Sequence, residues 1–290
     1  MTVATCSLNQ WALDFDGNLA RIQQSLHEAQ QAQATYRLGP ELEICGYGCE
    51  DHYYELDTIQ HSWESLITLV LDAPGYTTQM VCDFGMPLLG TDGCRYNCRI
   101  LVYQHRIVLI RPKTSLADAG NYRESRYFTA YTGQGELFPL PFWVRAEFLQ
   151  HPTTRDHPTA VPFGTATSYL RSADQISIGC ESCEELWTPQ STHVPLALQG
   201  VTIIGNGSGS HHQLRKLQQR LDLIINATKT CSGGIYLYSN QRGCDGGRLY
   251  YDGSAVIVCN GDVLAQASQF SLVDVEVITA TIDMTTIYSA

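Results

Sequence analysis

The stretch TVATCSLNQWALDFDGNLARIQQSLHEAQQAQATYRLGP, Thr2 to Pro40, decides the fold class. Thr2–Leu8 is an unbroken run of strand length. After Asp16-Gly17 the apolar residues Leu19, Ile22, Leu26 and Ala29 recur at steps of three and four, with Gln, Arg and His between them, which is one buried face of an amphipathic helix. A short strand then runs into Leu38-Gly39-Pro40, and Leu66, Ile67, Val70 and Leu71 mark a second helix. Strand, helix, strand, helix opens a layered α/β domain.

Further strands are expected at Gln79–Leu89, Asn97–Tyr103 and Arg106–Arg111, the last two joined by Gln104-His105 as a hairpin. Residues 132–158 are rich in Gly, Pro, His and Thr and lose periodicity, as a long surface insertion does; order returns at Pro162. Gln175–Gly179 and Val201–Ile204 read as strands, and Leu214, Leu217, Leu221 and Ile224 as a helical face. Val256–Cys259 and Asp262–Ala265 flank Asn260-Gly261, the residue pair that suits a type I′ turn. No repeat or interdomain linker is visible. With 290 residues, 44% of them hydrophobic, one domain is near the ceiling of about 250–300 residues for a single core.

A net charge of −11 gives no electrostatic reason for binding nucleic acid or an anionic membrane, so a small polar substrate is expected. Neither a signal-peptide pattern at the N-terminus nor a run of about 18 apolar residues is present, which predicts an intracellular, cytoplasmic chain. Eleven cysteines, an odd count in a long chain, are expected to be mostly reduced and buried.

The segment Gly179-Cys180-Glu181-Ser182-Cys183-Glu184-Glu185-Leu186-Trp187 places a cysteine just after an apolar strand and just before a short helix, where backbone N–H groups can lower a thiol pKa and receive an oxyanion. Local sequence alone favours a buried structural cysteine. The Cys180-x-x-Cys183 spacing also permits a redox or metal role, but a closed zinc site needs a second matching pair. Cys45 with Cys49, Cys94 with Cys98, and the adjacent His211-His212 are weak ligand sets, so no metal is expected; the two histidines read as a solvated or loop-capping pair. Glu41 after Gly39-Pro40, and Lys113 in Arg111-Pro112-Lys113, stand at strand ends where charged side chains can reach a cleft. Singly they are surface charges; with a thiol on a third strand end they would converge into a catalytic set if these strands are sheet neighbours. Ser232-Gly233-Gly234 begins like a pyrophosphate loop, but Tyr236 and Leu237 occupy the positions of the required aspartate and serine, and no Walker glycine loop exists.

Leu38–Tyr47, Arg111-Pro112-Lys113 and Cys183–Pro189 resemble, in order, the Glu, Lys and Cys motifs of the nitrilase or carbon–nitrogen hydrolase superfamily. Asn9–Phe15, Cys45-Gly46-Tyr47-Gly48-Cys49, Gly209-Ser210-His211-His212 and Gln241–Gly246 are similar to the glutaminase domain of eukaryotic glutamine-dependent NAD synthetases, a likeness running from about residue 2 to about residue 284.

The resemblance implies a four-layer αββα sandwich over residues 1–284, with 285–290 as a C-terminal end and the synthetase domain absent. It implies that Cys183 attacks the carboxamide of L-glutamine, that Glu41 is the general base and then protonates ammonia, and that Lys113 stabilises the oxyanion. Glu124 matches a further family glutamate that orients Lys113. Glu184, Trp187, Ser210 and Arg215 correspond to substrate-binding positions. No cofactor is implied for the glutaminase step, ATP and magnesium belonging to the synthetase domain; the implied partners are a synthetase domain or subunit and further copies of the chain. Cys180 stands where relatives often carry serine, which is expected to place a second thiol near the nucleophile. A stand-alone amidase or nitrilase on another small amide, and a non-catalytic fragment binding a synthetase partner, are the alternatives.

Overall fold

A computed structural model describes residues 1–71, 75–230 and 233–288, so Ser232 of the Ser-Gly-Gly motif lies outside the described residues. Strand β1 (Thr2–Leu8) leads through helix α1 (Phe15–Gln31) to β2 (Tyr36–Leu38), then through α2 (Leu56–Leu71) to the antiparallel run β3 (Val81–Leu89), β4 (Arg95–Tyr103) and β5 (Arg106–Pro112). The short helix α3 (Glu124–Tyr127), β6 (Glu136–Pro139), α4 (Phe142–Gln150), β7 (Ala160–Phe163), β8 (Tyr169–Arg171) and β9 (Ser177–Ser182) follow. Helix α5 (His193–Leu198), β10 (Ile203–Ser208), α6 (Lys216–Thr230), β11 (Ile235–Gly243), β12 (Tyr251–Asp252), the hairpin β13 (Val256–Cys259) and β14 (Asp262–Gln266), then β15 (Val275–Thr281) and α7 (Thr285–Tyr288) complete the described chain.

The strands form one continuous sheet that divides at β1. One edge of β1 pairs with β15 along its whole length, while the other pairs with β2 at residues 3–5 and with β11 at Ser7 and Leu8. The halves fold onto each other as the two inner layers of an αββα sandwich. Alternation along β1 shows why: Ala4, Cys6 and Leu8 join the core under α1 and α2, whereas Val3 joins Leu38, Ile203, Ile235 and Leu237 between the sheets. Ile224 and Ala227 of α6 cover the second sheet with Tyr236, Tyr238 and Val256. The two expected hairpin turns are present, Gln104 and His105 having φ of 50° and 58°, and Asn260 and Gly261 having φ of 50° and 91°.

Residues 132–158 are not a surface insertion. They contain β6, which pairs with β7, and α4, and they bury Phe138, Leu140, Val144 and Phe148 in the first core, with Phe138 stacked on Trp63 at 6.5 Å. Exposed Leu137, Phe142 and Leu149 broke the periodicity there. Strands β9 and β10 run further toward their carboxyl ends than the sequence reading predicts, through Glu181-Ser182 and Gly205–Ser208, and β11, which that reading did not include, ends in the equally polar Ser239–Gly243. Those polar residues are buried because they build one rim of the sandwich.

Glycines in β10 have a steric cause. A Cβ at Gly205 would stand 2.0 Å from the Tyr36 hydroxyl, and one at Gly207 would stand 2.2 Å from the Arg99 guanidinium. Arg99, fully buried, pairs with Asp83 at 2.8 Å and donates to the carbonyls of Gly39 and Pro40 at 2.8 Å each. It fixes the backbone just before Glu41. Arg99→Met leaves the Asp83 carboxylate buried without its partner, and a loss of about 3–5 kcal/mol in denaturant unfolding is expected; a loss below about 1 kcal/mol contradicts this role for the pair.

Candidate active site

β2, β5, β9 and β10 point the same way, so the residues that follow them gather on one rim. Glu41 follows β2 by way of Gly39-Pro40. Its Oε1 accepts from Lys113 Nζ at 2.6 Å and from Asn97 Nδ2 at 2.8 Å, and its Oε2 accepts from the Gly209 N–H at 3.0 Å. Gln241 Nε2 donates to the Glu41 carbonyl at 2.9 Å. The carboxylate is therefore locked in position, fully buried.

Lys113 follows β5 and lies between two carboxylates, 2.6 Å from Glu41 and 2.8 Å from Glu124. Burial alone would lower its pKa, but Glu124 and Glu41 outweigh that and hold it well above the usual lysine value. Glu124, whose own pKa is raised by burial against the opposing pull of Lys113, also accepts from the Ala117 N–H at 2.9 Å and the Tyr47 hydroxyl at 2.5 Å.

Cys183 opens a single 3₁₀ turn (Cys183–Leu186) directly after β9, with φ of 41°, a strained value for a residue with a side chain. Its N–H donates to Asn206 Oδ1 at 2.9 Å. Burial, followed by Glu41, raises the thiol pKa to about 12, while Lys113 works the other way. The resting group is a thiol, within electrostatic reach of both Glu41 and Lys113.

Two site-building residues escaped the sequence reading. Glu185 binds Arg111 through both oxygens at 2.7 and 2.6 Å, and accepts from the N–H groups of Thr114 and Ser182 at 2.7 Å each. It ties the segment after Lys113 to the segment before Cys183. Lys216, at the start of α6, sits 5.6 Å from the Trp187 ring centroid and 5.4 Å from that of Tyr122, and donates to the His211 carbonyl at 3.3 Å. Burial lowers its pKa, with Arg220 acting in the same direction and Cys183 opposing.

Of the expected pocket positions, Glu184 and Trp187 are partly buried beside Cys183. Burial raises the Glu184 pKa, and Lys113 opposes it. Ser210 is buried, its Oγ accepting from Arg220 at 3.1 Å. Arg215 is exposed at a φ of 67°, and Leu214 is 89% exposed; both precede α6, and the neighbouring cation that sits against Trp187 and Tyr122 is Lys216. His211 is buried against Tyr122 rather than solvated, and burial, then Lys216, drives its pKa down to about 4. Cys180 lies between the sheets with Leu101 and Leu109, its thiol 3.5 Å from Asp83, so it does not supply a second thiol to the site. Among the described residues no group of three or more His, Cys, Asp or Glu side chains is arranged to hold a metal ion. No helix among them is long and apolar enough to cross a membrane.

The curled double sheet with a Glu, a Lys and a Cys on one rim defines a class, and comparison agrees: residues 2–290 match the carbon-nitrogen hydrolase family, to which this chain belongs. It is 54% identical over its full length to a glutamine-dependent NAD(+) synthetase of Bos taurus and 53% identical over 98% of its length to that of Saccharomyces cerevisiae. The chain spans 39% and 38% of those relatives' length. Among solved structures it is similar to a glutamine-dependent NAD(+) synthetase from Cytophaga hutchinsonii, with a TM-score of 0.80 and 26% identity over 97% of this chain and 42% of that one. An amidase from Nesterenkonia shares the fold, with a TM-score of 0.73 at 15% identity over 100% of this chain and 95% of that one.

A thiol with a pKa of about 12 is ionised in roughly one molecule in 10⁴ at pH 8. Methyl methanethiosulfonate, which carries no carboxamide, is therefore expected at pH 8 to label exposed Cys244 and to leave Cys183 largely unmodified. Its reaction at Cys183 should accelerate with rising pH. Peptide mapping checks this, and labelling of Cys183 as fast as Cys244 contradicts it.

Proposed function

We propose that this chain hydrolyses the side-chain amide of L-glutamine and that the ammonia serves ATP-dependent amidation of deamido-NAD to NAD. The amidation, with its ATP and magnesium, belongs to a synthetase domain or subunit. The observation that carries the reading is Lys113 held between Glu41 and Glu124 on the rim that presents Cys183. The relatives at 53–54% identity support glutamine over another small amide.

Cys183 Sγ attacks the carboxamide carbon as Glu41 takes the thiol proton, since burial keeps the resting thiol largely protonated. The carbonyl electrons move to oxygen, where the Lys113 ammonium stabilises the charge. Glu41 returns the proton to the nitrogen, the C–N bond breaks, and ammonia leaves a γ-glutamyl thioester. Water then adds to the thioester with Glu41 again as base, releasing glutamate and the thiol. Glu184 and Lys216, of opposite charge and flanking Cys183, suit the ammonium and carboxylate of a free amino acid. Glu124 keeps Lys113 oriented and charged.

Cys183→Ala is expected to abolish glutamine hydrolysis. Glu41→Gln should keep the pocket and lose roughly 10²–10⁴-fold in kcat, with Lys113→Met similar. Steady-state assays with and without an added synthetase domain check this; full activity of Cys183→Ala in either condition overturns the reading.

A further inference from the structure

The turn Cys45–Cys49 and the segment Gln241–Gly246 take part in no step of that chemistry, yet they meet beside it. Asp245 is buried, 1% exposed, with φ of 49°. Its Oδ2 accepts from the Gly48 N–H at 2.5 Å; the Tyr47 and Ala12 N–H groups lie near enough to pull its pKa down, while Oδ1 has no hydrogen-bond partner among the described residues. The fit is close. Gly46 has φ of 86°, and a Cβ there would stand 2.7 Å from Asp245 Oδ1. From the other side Tyr53 donates its hydroxyl to the carbonyls of Gly46 and Tyr47 at 3.0 and 2.9 Å. Tyr47, between these two anchored glycines, donates its hydroxyl to Glu124 Oε1 at 2.5 Å, and Glu124 holds Lys113.

We propose that Asp245 is a positioning residue for amide hydrolysis: it anchors the turn Gly46–Gly48 so that Tyr47 meets Glu124, and through Glu124 it fixes the Lys113 ammonium. The inference rests on the glutaminase reading and adds a residue to it. Burial pushes the Asp245 pKa to about 7, against the pull of the Gly48, Tyr47 and Ala12 N–H groups, so ionising this carboxyl inside the fold comes at a cost to stability. An outer group held at such a cost, in line with the site, fits an orienting task better than a space-filling one.

The test is alkylation of Cys183 by a diazoketone analogue of glutamine, followed by mass spectrometry for the chain and its variants. Asp245→Asn and Tyr47→Phe should each slow the maximal alkylation rate about 10-fold, the low end of what losing an orienting hydrogen bond costs. The half-saturating concentration of the analogue should be unchanged, and the double variant should be no slower than the slower single one. Gly48→Ala crowds the same contact, 2.9 Å from the Asp245 carbonyl oxygen, and serves if Asp245→Asn does not fold; it too should slow alkylation without adding to Tyr47→Phe. An unchanged rate in these variants, or effects that multiply in the double variant, overturns the inference while Cys183 remains the nucleophile. No alkylation of Cys183 in the unaltered chain removes the glutaminase reading and this inference together.

Discussion

A lysine ammonium with no exposed surface is the constraint around which the rest of this molecule is arranged. Taking such a charge out of water costs several kcal/mol unless opposite charge meets it with good geometry. Lys113 has two carboxylates within 2.8 Å, and each is itself held by further donors: Asn97 and Gly209 for Glu41, Ala117 and Tyr47 for Glu124. Two carboxylates about one ammonium leave the group with an excess of negative charge. That excess, with burial, keeps the Cys183 thiol protonated until a substrate brings an atom able to accept electrons.

The framework supplies the stiffness this arrangement needs. Arg99 crosses between the sheets to hold the backbone before Glu41, and Glu185 with Arg111 joins the Lys113 segment to the Cys183 segment. Each is a buried ion pair that contributes little net stability over a well-packed apolar substitute. Their value lies in direction. A guanidinium or carboxylate with several fixed partners sets a backbone to within a few tenths of an ångström, which packing among aliphatic side chains does not do.

How much of this was legible in the sequence depended on where a residue sits along its strand. The α1 face of Leu19, Ile22, Leu26 and Ala29, the β4–β5 hairpin and the Asn260-Gly261 turn were readable because local period and turn chemistry determine them. Glu41, Lys113 and Cys183 stood out as charged or nucleophilic residues directly after apolar runs, and family resemblance tied them into one set. The carboxyl ends of β9 and β10 were hidden because polar residues and glycines there erase the hydropathy signal of a strand, and β11 was not read as a strand at all. Arg99, Arg111 and Glu185 were assigned no role, since their partners lie far away in the chain. Leu214 was read as part of a helical face because nothing local reveals that α6 begins only at Lys216, after a residue of positive φ.

The central claim is that one thiol, served by Glu41 and Lys113, carries the acyl group between amide and water. Acid quenching during glutamine turnover, followed by peptide mass spectrometry, measures that directly. The account predicts a γ-glutamyl adduct on the peptide containing Cys183 and on no other. Glutamine hydrolysis with the adduct on a different peptide, or with none formed under conditions that trap thioesters, contradicts it.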